Sequence, residues 1–293
     1  MPTTPLASAP ADRARWREQA QRDGYLYVPR LLAPEALAPL RSLIDAALRA
    51  RGWLVPREVA ARDAAAGNVA ARDATASDAA AGSSRLLVGA TDPALRLGRP
   101  DDARWFAFLA DVLQSEACHA LAESPALVQA VAAMLGVDPF VDAPRVDLHA
   151  ARHAARHAAP HVEAHVGTVC RIVSPGDPML STPPHQDAAY VNDAAQVWTA
   201  WIPLVPCPRE LGPLAVWAGS HRGGLREHGP VAPGGTDAGK AIVPDDVVWT
   251  TGDLELGDVV FFSSLTVHRA LDNVTADRLR VSIDYRYRAP HNA

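Results

Sequence analysis

The chain has 293 residues, room for one large domain or two small ones. Its net charge of −5, without a long basic run, gives no case for nucleic acid or an anionic membrane as partner. The three cysteines, Cys118, Cys170 and Cys207, are odd in number and widely spaced. That argues against a disulfide framework or a zinc ribbon and for a reducing, cytoplasmic setting.

The opening "MPTTPLASAPADRARWREQ" lacks the apolar centre of a secretory signal, and residues 1–20 are expected to be flexible. No apolar run reads as long enough to span a bilayer. "GYLYVPRLLAPEALAPLRSLIDAALRA" predicts a strand over Tyr25–Val28, a turn, and a helix entered at Pro34, where a missing N–H costs little. Leu37, Leu40, Leu43, Ile44 and Leu48 supply its apolar face. Residues 58–84 are low in complexity: "VAARDAAAGN" is followed directly by "VAARDATASD". Two alanine-rich copies are too few for a solenoid, so the stretch reads as an insert. "ARWFAFLADVLQSEACHALAESPALVQAVAAMLG" predicts two helices, broken around Ser124-Pro125 and ended at Gly136. From about residue 167 short β-rich runs alternate with Pro and Gly turns: "TVCRIVSP", "QVWTAWIPLV", "GPLAVWAG", "DDVVWTT", "GDVVFFSSL" and "RLRVSIDYRYR". This pattern predicts a β barrel or sandwich. The whole, residues 1–293, reads as one α+β domain, with helices mostly from the N-terminal half packed on one sheet.

The stretch "HAARHAARHAAPHVEAH" has histidines at 149, 153, 157, 161 and 165. On a helix, His149, His153 and His157 share one face. However, Pro160 interrupts that helix, and the stripe has neither a carboxylate nor an apolar face that would bury a supporting shell. We read 149–165 as a second insert with adventitious metal affinity and no chemistry.

"TPPHQDAAY" holds His185 and Asp187. Residues i and i+2 of an extended strand point the same way, so an imidazole and a carboxylate can grip one metal. His268, in "FFSSLTVHRALDN", follows an apolar strand and fits as the third ligand. Two histidines and a carboxylate on one octahedral face match the triad of non-haem Fe(II) oxygenases, with positions left open. Further along, "RLRVSID" places Arg280 and Ser282 on one face. A guanidinium fork and a hydroxyl together suit a carboxylate, as the anchor of a dicarboxylate co-substrate requires. Arg278 points the same way and is a rival, but only Arg280 has the serine partner.

With these elements in order, the chain resembles the phytanoyl-CoA dioxygenase family. The likeness covers most of the chain and is most specific over "STPPHQDAAYVNDAAQVWTAWIPLVPCPRELGPLAVWAGSHRGG" and "GDVVFFSSLTVHRALDNVT". The resemblance implies a double-stranded β-helix (jelly-roll, cupin-like) core and dependence on Fe(II), 2-oxoglutarate and O2. It implies that His185, Asp187 and His268 bind iron and that Arg280, helped by Ser282, anchors the co-substrate. It also suggests Trp198 as a pocket aromatic and Thr182 as a polar co-substrate contact. Ser220 and His221 look like parts of a structural turn. One extra residue after Asn273 departs from the family pattern, which keeps Arg278 in play. The presence of Asp187, replaced by a small residue in related halogenases, favours oxygenation. The expected activity is oxidation of a small molecule, most simply by hydroxylation. Two rivals are a zinc hydrolase using the same three ligands and a non-catalytic β-barrel binding module.

Overall fold

The computed structural model describes residues 1–54, 87, 103–136, 163–176, 181–189, 197–229 and 239–288, with backbone alone over 163–166. The alanine-rich decamers and the side chains of the histidine run lie outside the described residues.

The helices are α1 (Trp16–Asp23), α2 (Pro34–Ala50), α3 (Ala103–Leu113), α4 (Glu116–Ala122) and α5 (Pro125–Leu135). The apolar spacing of α2 works as predicted: Leu37, Leu40, Ile44 and Leu48 are all buried. Burying each such side chain contributes about 1.5–3 kcal/mol. Arg41 joins that buried face and is satisfied there, its Nε donating to the Leu204 carbonyl at 2.9 Å. Ser115 caps α4 by accepting from the Cys118 N–H. Helix α5 starts on Pro125 and stops at Gly136, whose left-handed conformation has φ 69°. The run Glu116–Leu135 is long and apolar enough by composition to cross a membrane, contrary to the sequence reading. It is instead split at Ser124-Pro125, and Cys118, Leu121, Leu127, Val131 and Met134 join the core.

Nine strands follow from the described residues: β1 (Thr3–Pro5), β2 (Tyr25–Val28), β3 (Glu163–Val173), β4 (Val197–Pro203), β5 (Leu214–Val216), β6 (Trp249–Thr251), β7 (Val259–Ser263), β8 (His268–Ala270) and β9 (Arg280–Arg288). They form a four-stranded sheet, β1-β6-β5-β8, and a five-stranded sheet, β2-β7-β4-β9-β3. All pairings are antiparallel except that of β1 with β6. The architecture is α+β. The N-terminal stretch expected to be flexible contains a strand and a core residue: β1 pairs with β6 from Thr3 to Pro5, and Trp16 is buried with its Nε1 donating to the Pro10 carbonyl at 2.7 Å. Composition hid this, because the strand's partner lies over 240 residues away.

Strand β9 shows how the large sheet separates two environments. Tyr285 and Tyr287 send their hydroxyls to the carbonyls of Cys118 and Ala122, at 2.9 and 2.7 Å, so this face packs on α4. Arg280, Ser282, Asp284 and Arg286 alternate with them and are also buried, but on the opposite face.

Candidate metal and co-substrate site

His185, Asp187 and His268 converge, each buried, with one ligand atom apiece lying within 4.8 Å of the others. His185 Nε2 and His268 Nε2 each stand 3.8 Å from Asp187 Oδ1. The H-x-D tripeptide is not the strand predicted. His185 makes an isolated antiparallel bridge to His268, with reciprocal N–H···O=C bonds of 2.9 and 3.0 Å, and a 3-10 turn, Asp187–Ala189, then starts. The turn folds the carboxylate back beside the paired imidazoles.

Each imidazole is held by a backbone carbonyl. His185 Nδ1 meets the Pro183 oxygen at 2.8 Å and His268 Nδ1 meets the Thr266 oxygen at 3.0 Å. A carbonyl only accepts, so Nδ1 carries the proton and Nε2 keeps its lone pair toward the shared centre. Burial holds both histidines below their ordinary value, and the charge of His268 pushes His185 further down. Both are therefore neutral near pH 7, the form that binds a metal. Burial alone would push Asp187 up, but His268, Arg286 and His185 outweigh it and hold the carboxyl well below the usual range.

Two further partners of Asp187 escaped the sequence reading. Thr199 Oγ1 donates to Oδ2 at 2.7 Å. Arg286 donates from Nε to Oδ2 and from Nη2 to Oδ1, both at 3.1 Å. Thr199 and Arg286 are paired across β4 and β9. The one available signal was that Arg286 lies an even number of residues beyond Arg280, which puts both on one strand face.

Toward the start of β9, Arg280 is 1% exposed. Its Nη1 donates to the Gly212 carbonyl at 2.9 Å, but Nε and Nη2 have no protein partner among the described residues, and neither does the Ser282 hydroxyl. Burial, countered by Cys207, pushes the guanidinium down to about 10, which still leaves it charged at neutral pH. The "ELGPL" turn is what presents Gly212. Its φ is +77°, and a Cβ there would lie 2.3 Å from the Leu271 oxygen, so only glycine fits. The rival, Arg278, is 37% exposed at its side chain and pairs with Glu210 at 2.8 Å on the surface. The Asn273 side chain closes the intervening turn by donating to the carbonyls of Val173 and Arg278.

One cleft joins both places: His185, His268, Thr182, Trp201, Phe262 and Arg280 all line it. Thr182 Oγ1 accepts from Arg171 Nη1 at 3.2 Å, and Arg171 Nε reaches Asp284 at 3.1 Å. Trp198 is a correction. It pairs with Tyr287, on the helix-facing side of the sheet, while Thr199 and Trp201, paired with Arg286 and Asp284, face the site. Trp201 is thus the tryptophan at the cleft, and Trp198 belongs to the core. Ser220 and His221 do form a turn. Ser220 Oγ accepts from the Val267 N–H, and His221 Nε2 meets the Gln21 carbonyl.

Comparison with known proteins agrees with this geometry. Two Streptomyces proteins, each named 1-deoxypentalenic acid 11-beta-hydroxylase, are similar over part of the chain. That of Streptomyces exfoliatus is 36% identical over 119 residues, and that of Streptomyces arenae 34% over 127, each match spanning 38% of this chain and 42% of the relative. The similarity therefore covers less than half the length of these relatives. Among solved structures, the epimerase SnoN in complex with Fe3+, alpha ketoglutarate and nogalamycin RO superimposes with a TM-score of 0.53 at 20% identity, over 96% of this chain and 84% of the other. EvdO2 from Micromonospora carbonacea var. aurantiaca, complexed with 2-oxoglutarate, gives 0.51 at 18%, over 96% and 92%. These identities speak for the fold alone. The model of the phytanoyl-CoA dioxygenase (PhyH) family matches residues 20–281, a span that holds His185, Asp187, His268 and Arg280. The chain belongs to the phytanoyl-CoA dioxygenase (PhyH) family.

Proposed function

We propose that this protein is an Fe(II)- and 2-oxoglutarate-dependent dioxygenase. It hydroxylates an unactivated C–H bond of a small organic molecule and releases succinate and CO2. One observation carries the reading: a single cleft is lined by both His185 and His268, the imidazoles of a buried two-histidine, one-carboxylate cluster, and by a buried guanidinium with two unpartnered donors. A buried charge with open hydrogen-bonding atoms is costly unless a ligand completes it. A dicarboxylate does so with one end while its other end reaches the metal. The core would be a double-stranded β-helix in a single domain, carrying the stretches at 58–84 and 149–165 as inserts.

In this reading His185, Asp187 and His268 hold the iron. The backbone carbonyls of Pro183 and Thr266 fix the imidazole tautomers, and Thr199 and Arg286 fix the carboxylate. Arg280 and Ser282 receive the far carboxylate of 2-oxoglutarate, and Thr182 lines its path. Iron, 2-oxoglutarate and O2 together supply the oxidising power for the C–H bond. The protein supplies position and a cleft whose apolar wall is Trp201, Leu214 and Phe262. Hydroxylation is favoured by the retained Asp187 and by the names of the two Streptomyces relatives, both hydroxylases. A zinc hydrolase would leave Arg280 and Ser282 without a task. Three buried free thiols, Cys118, Cys170 and Cys207, support a reducing, cytoplasmic location.

The test is an anaerobic titration of the apoprotein with Fe(II) and 2-oxoglutarate. A weak visible charge-transfer band that needs both additions is the expected result. Iron binding without that band overturns the oxygenase reading.

A further inference from the structure

We infer that Arg286 is a positioning residue for the metal: seated on a bulge at Gly167, it clamps Asp187 so that Oδ1 alone is offered to the ion. The inference deepens the metal reading above and rests on it.

The argument is a count of lone pairs. Each carboxylate oxygen has about two acceptor directions. Oδ2 uses both, for Thr199 Oγ1 at 2.7 Å and Arg286 Nε at 3.1 Å. Oδ1 uses one, for Arg286 Nη2 at 3.1 Å, and its other side faces the two imidazole Nε2 atoms at 3.8 Å. Asp187 is thereby held to one-oxygen ligation. Thr199 alone would not do this, since one hydrogen bond leaves the carboxylate free to turn. The fork bonded to both oxygens stops that rotation.

The guanidinium is itself held from behind. Arg286 Nη1 donates to the Gly167 carbonyl. Strand β3 goes from His165, opposite Arg286, to Val169, opposite Asp284, so it spends four residues where β9 spends two. The excess forms a bulge around Gly167, whose φ is +134°. A Cβ at Gly167 would lie 3.1 Å from Arg286 Nη1, so the backbone approaches as closely as a glycine permits. The chain therefore connects a backbone irregularity in β3 to the orientation of a metal ligand through one side chain. Arg286 is 9% exposed and each of its three nitrogens donates to Asp187 or Gly167, unlike Arg280.

The probe is Co(II) alone, added to apoprotein and followed by calorimetry and by its visible d–d bands. Arg286→Ala should bind Co(II) about 10–100-fold more weakly, the usual cost of losing a partner of a ligand, with altered bands. Arg286→Lys should recover part of the affinity. Arg278→Ala, which removes the partly exposed arginine paired with Glu210, should titrate like the unaltered protein. Should Arg286→Ala fail to unfold cooperatively, Arg286→Lys and Gly167→Ala carry the test, and both should bind more weakly. Unaltered affinity and bands in the Arg286 variants overturn the clamp while leaving the metal site standing. No Co(II) uptake by the unaltered protein overturns both.

Discussion

Arg280 and Arg286 occupy one face of one strand, six residues or about 20 Å apart, and end in opposite states. At Arg286 the protein provides its own carboxylate, Asp187, and its own carbonyl, Gly167. At Arg280 the described residues provide a single carbonyl, Gly212, and leave Nε, Nη2 and the neighbouring Ser282 hydroxyl without a partner. In the proposed function the same side chain is a clamp at one end and a receptor at the other. Residue identity does not decide between them; the accounting of buried hydrogen-bonding groups does. An arginine whose nitrogens are all partnered can arrange its neighbours, while one with unpartnered nitrogens is the better candidate to receive a ligand.

The comparison can be broken at the receptor end through an effect on binding. Arg280→Ala should weaken 2-oxoglutarate binding by about 2–5 kcal/mol, roughly 30-fold to several thousand-fold in Kd, as truncating one partner of a buried charge pair does. Anaerobic titration of the Fe(II) protein measures it, and a shift of less than about threefold would remove Arg280 from the co-substrate site. At the clamp end the large effect is on stability. Asp187→Ala leaves the Arg286 guanidinium buried without its counter-charge and should cost about 3–5 kcal/mol in denaturant unfolding of the metal-free protein. A cost below about 1 kcal/mol would mean that Arg286 finds another partner. Ser282→Ala sharpens the contrast more gently. Losing one hydrogen bond predicts about 0.5–1.5 kcal/mol, a few-fold weaker 2-oxoglutarate binding, with metal uptake unchanged.

The smallest effect separates the ends by pH. His185 and His268 sit below their ordinary value of 6.5, chiefly because they are buried. Below about pH 6.5 the unfolded chain binds protons that the folded chain refuses, so stability must rise with pH through this range and fall as the medium is acidified. Asp187, whose pKa is lowered, acts in the same direction at still lower pH. Neither Arg280 nor Ser282 titrates there. Thermal unfolding of metal-free protein between pH 5 and 7 checks it, and a flat profile would mean that the imidazoles are not held neutral.

Some features were legible because they are local. The apolar rhythm of Leu37, Leu40, Ile44 and Leu48, the stop at Ser124-Pro125 and the Tyr25–Val28 strand each lie within one helix or strand. The pairing of Arg280 with Ser282 is two residues wide. What escaped depends on register between distant strands. Trp198 and Trp201 look equally good in "VWTAWIPL", and only the pairing of Trp198 with Tyr287 and of Trp201 with Asp284 assigns one to the helices and the other to the cleft. Arg278 is partly exposed and Arg280 buried, a difference that a single sequence does not display.

By itself the sequence determined which groups are available: two histidines, a carboxylate, an arginine with its serine, and the helices and strands that carry them. These follow from short-range periodicity and from the chemistry of side chains. The tertiary structure decided which groups meet, and in what state. It folded Asp187 back beside the imidazoles, set Thr199 and Arg286 on its oxygens, brought β1 onto β6, and left Arg280 unsatisfied. The reason is physical. Burial and the completion of hydrogen bonds depend on contacts between residues tens to hundreds apart, and no local pattern records them.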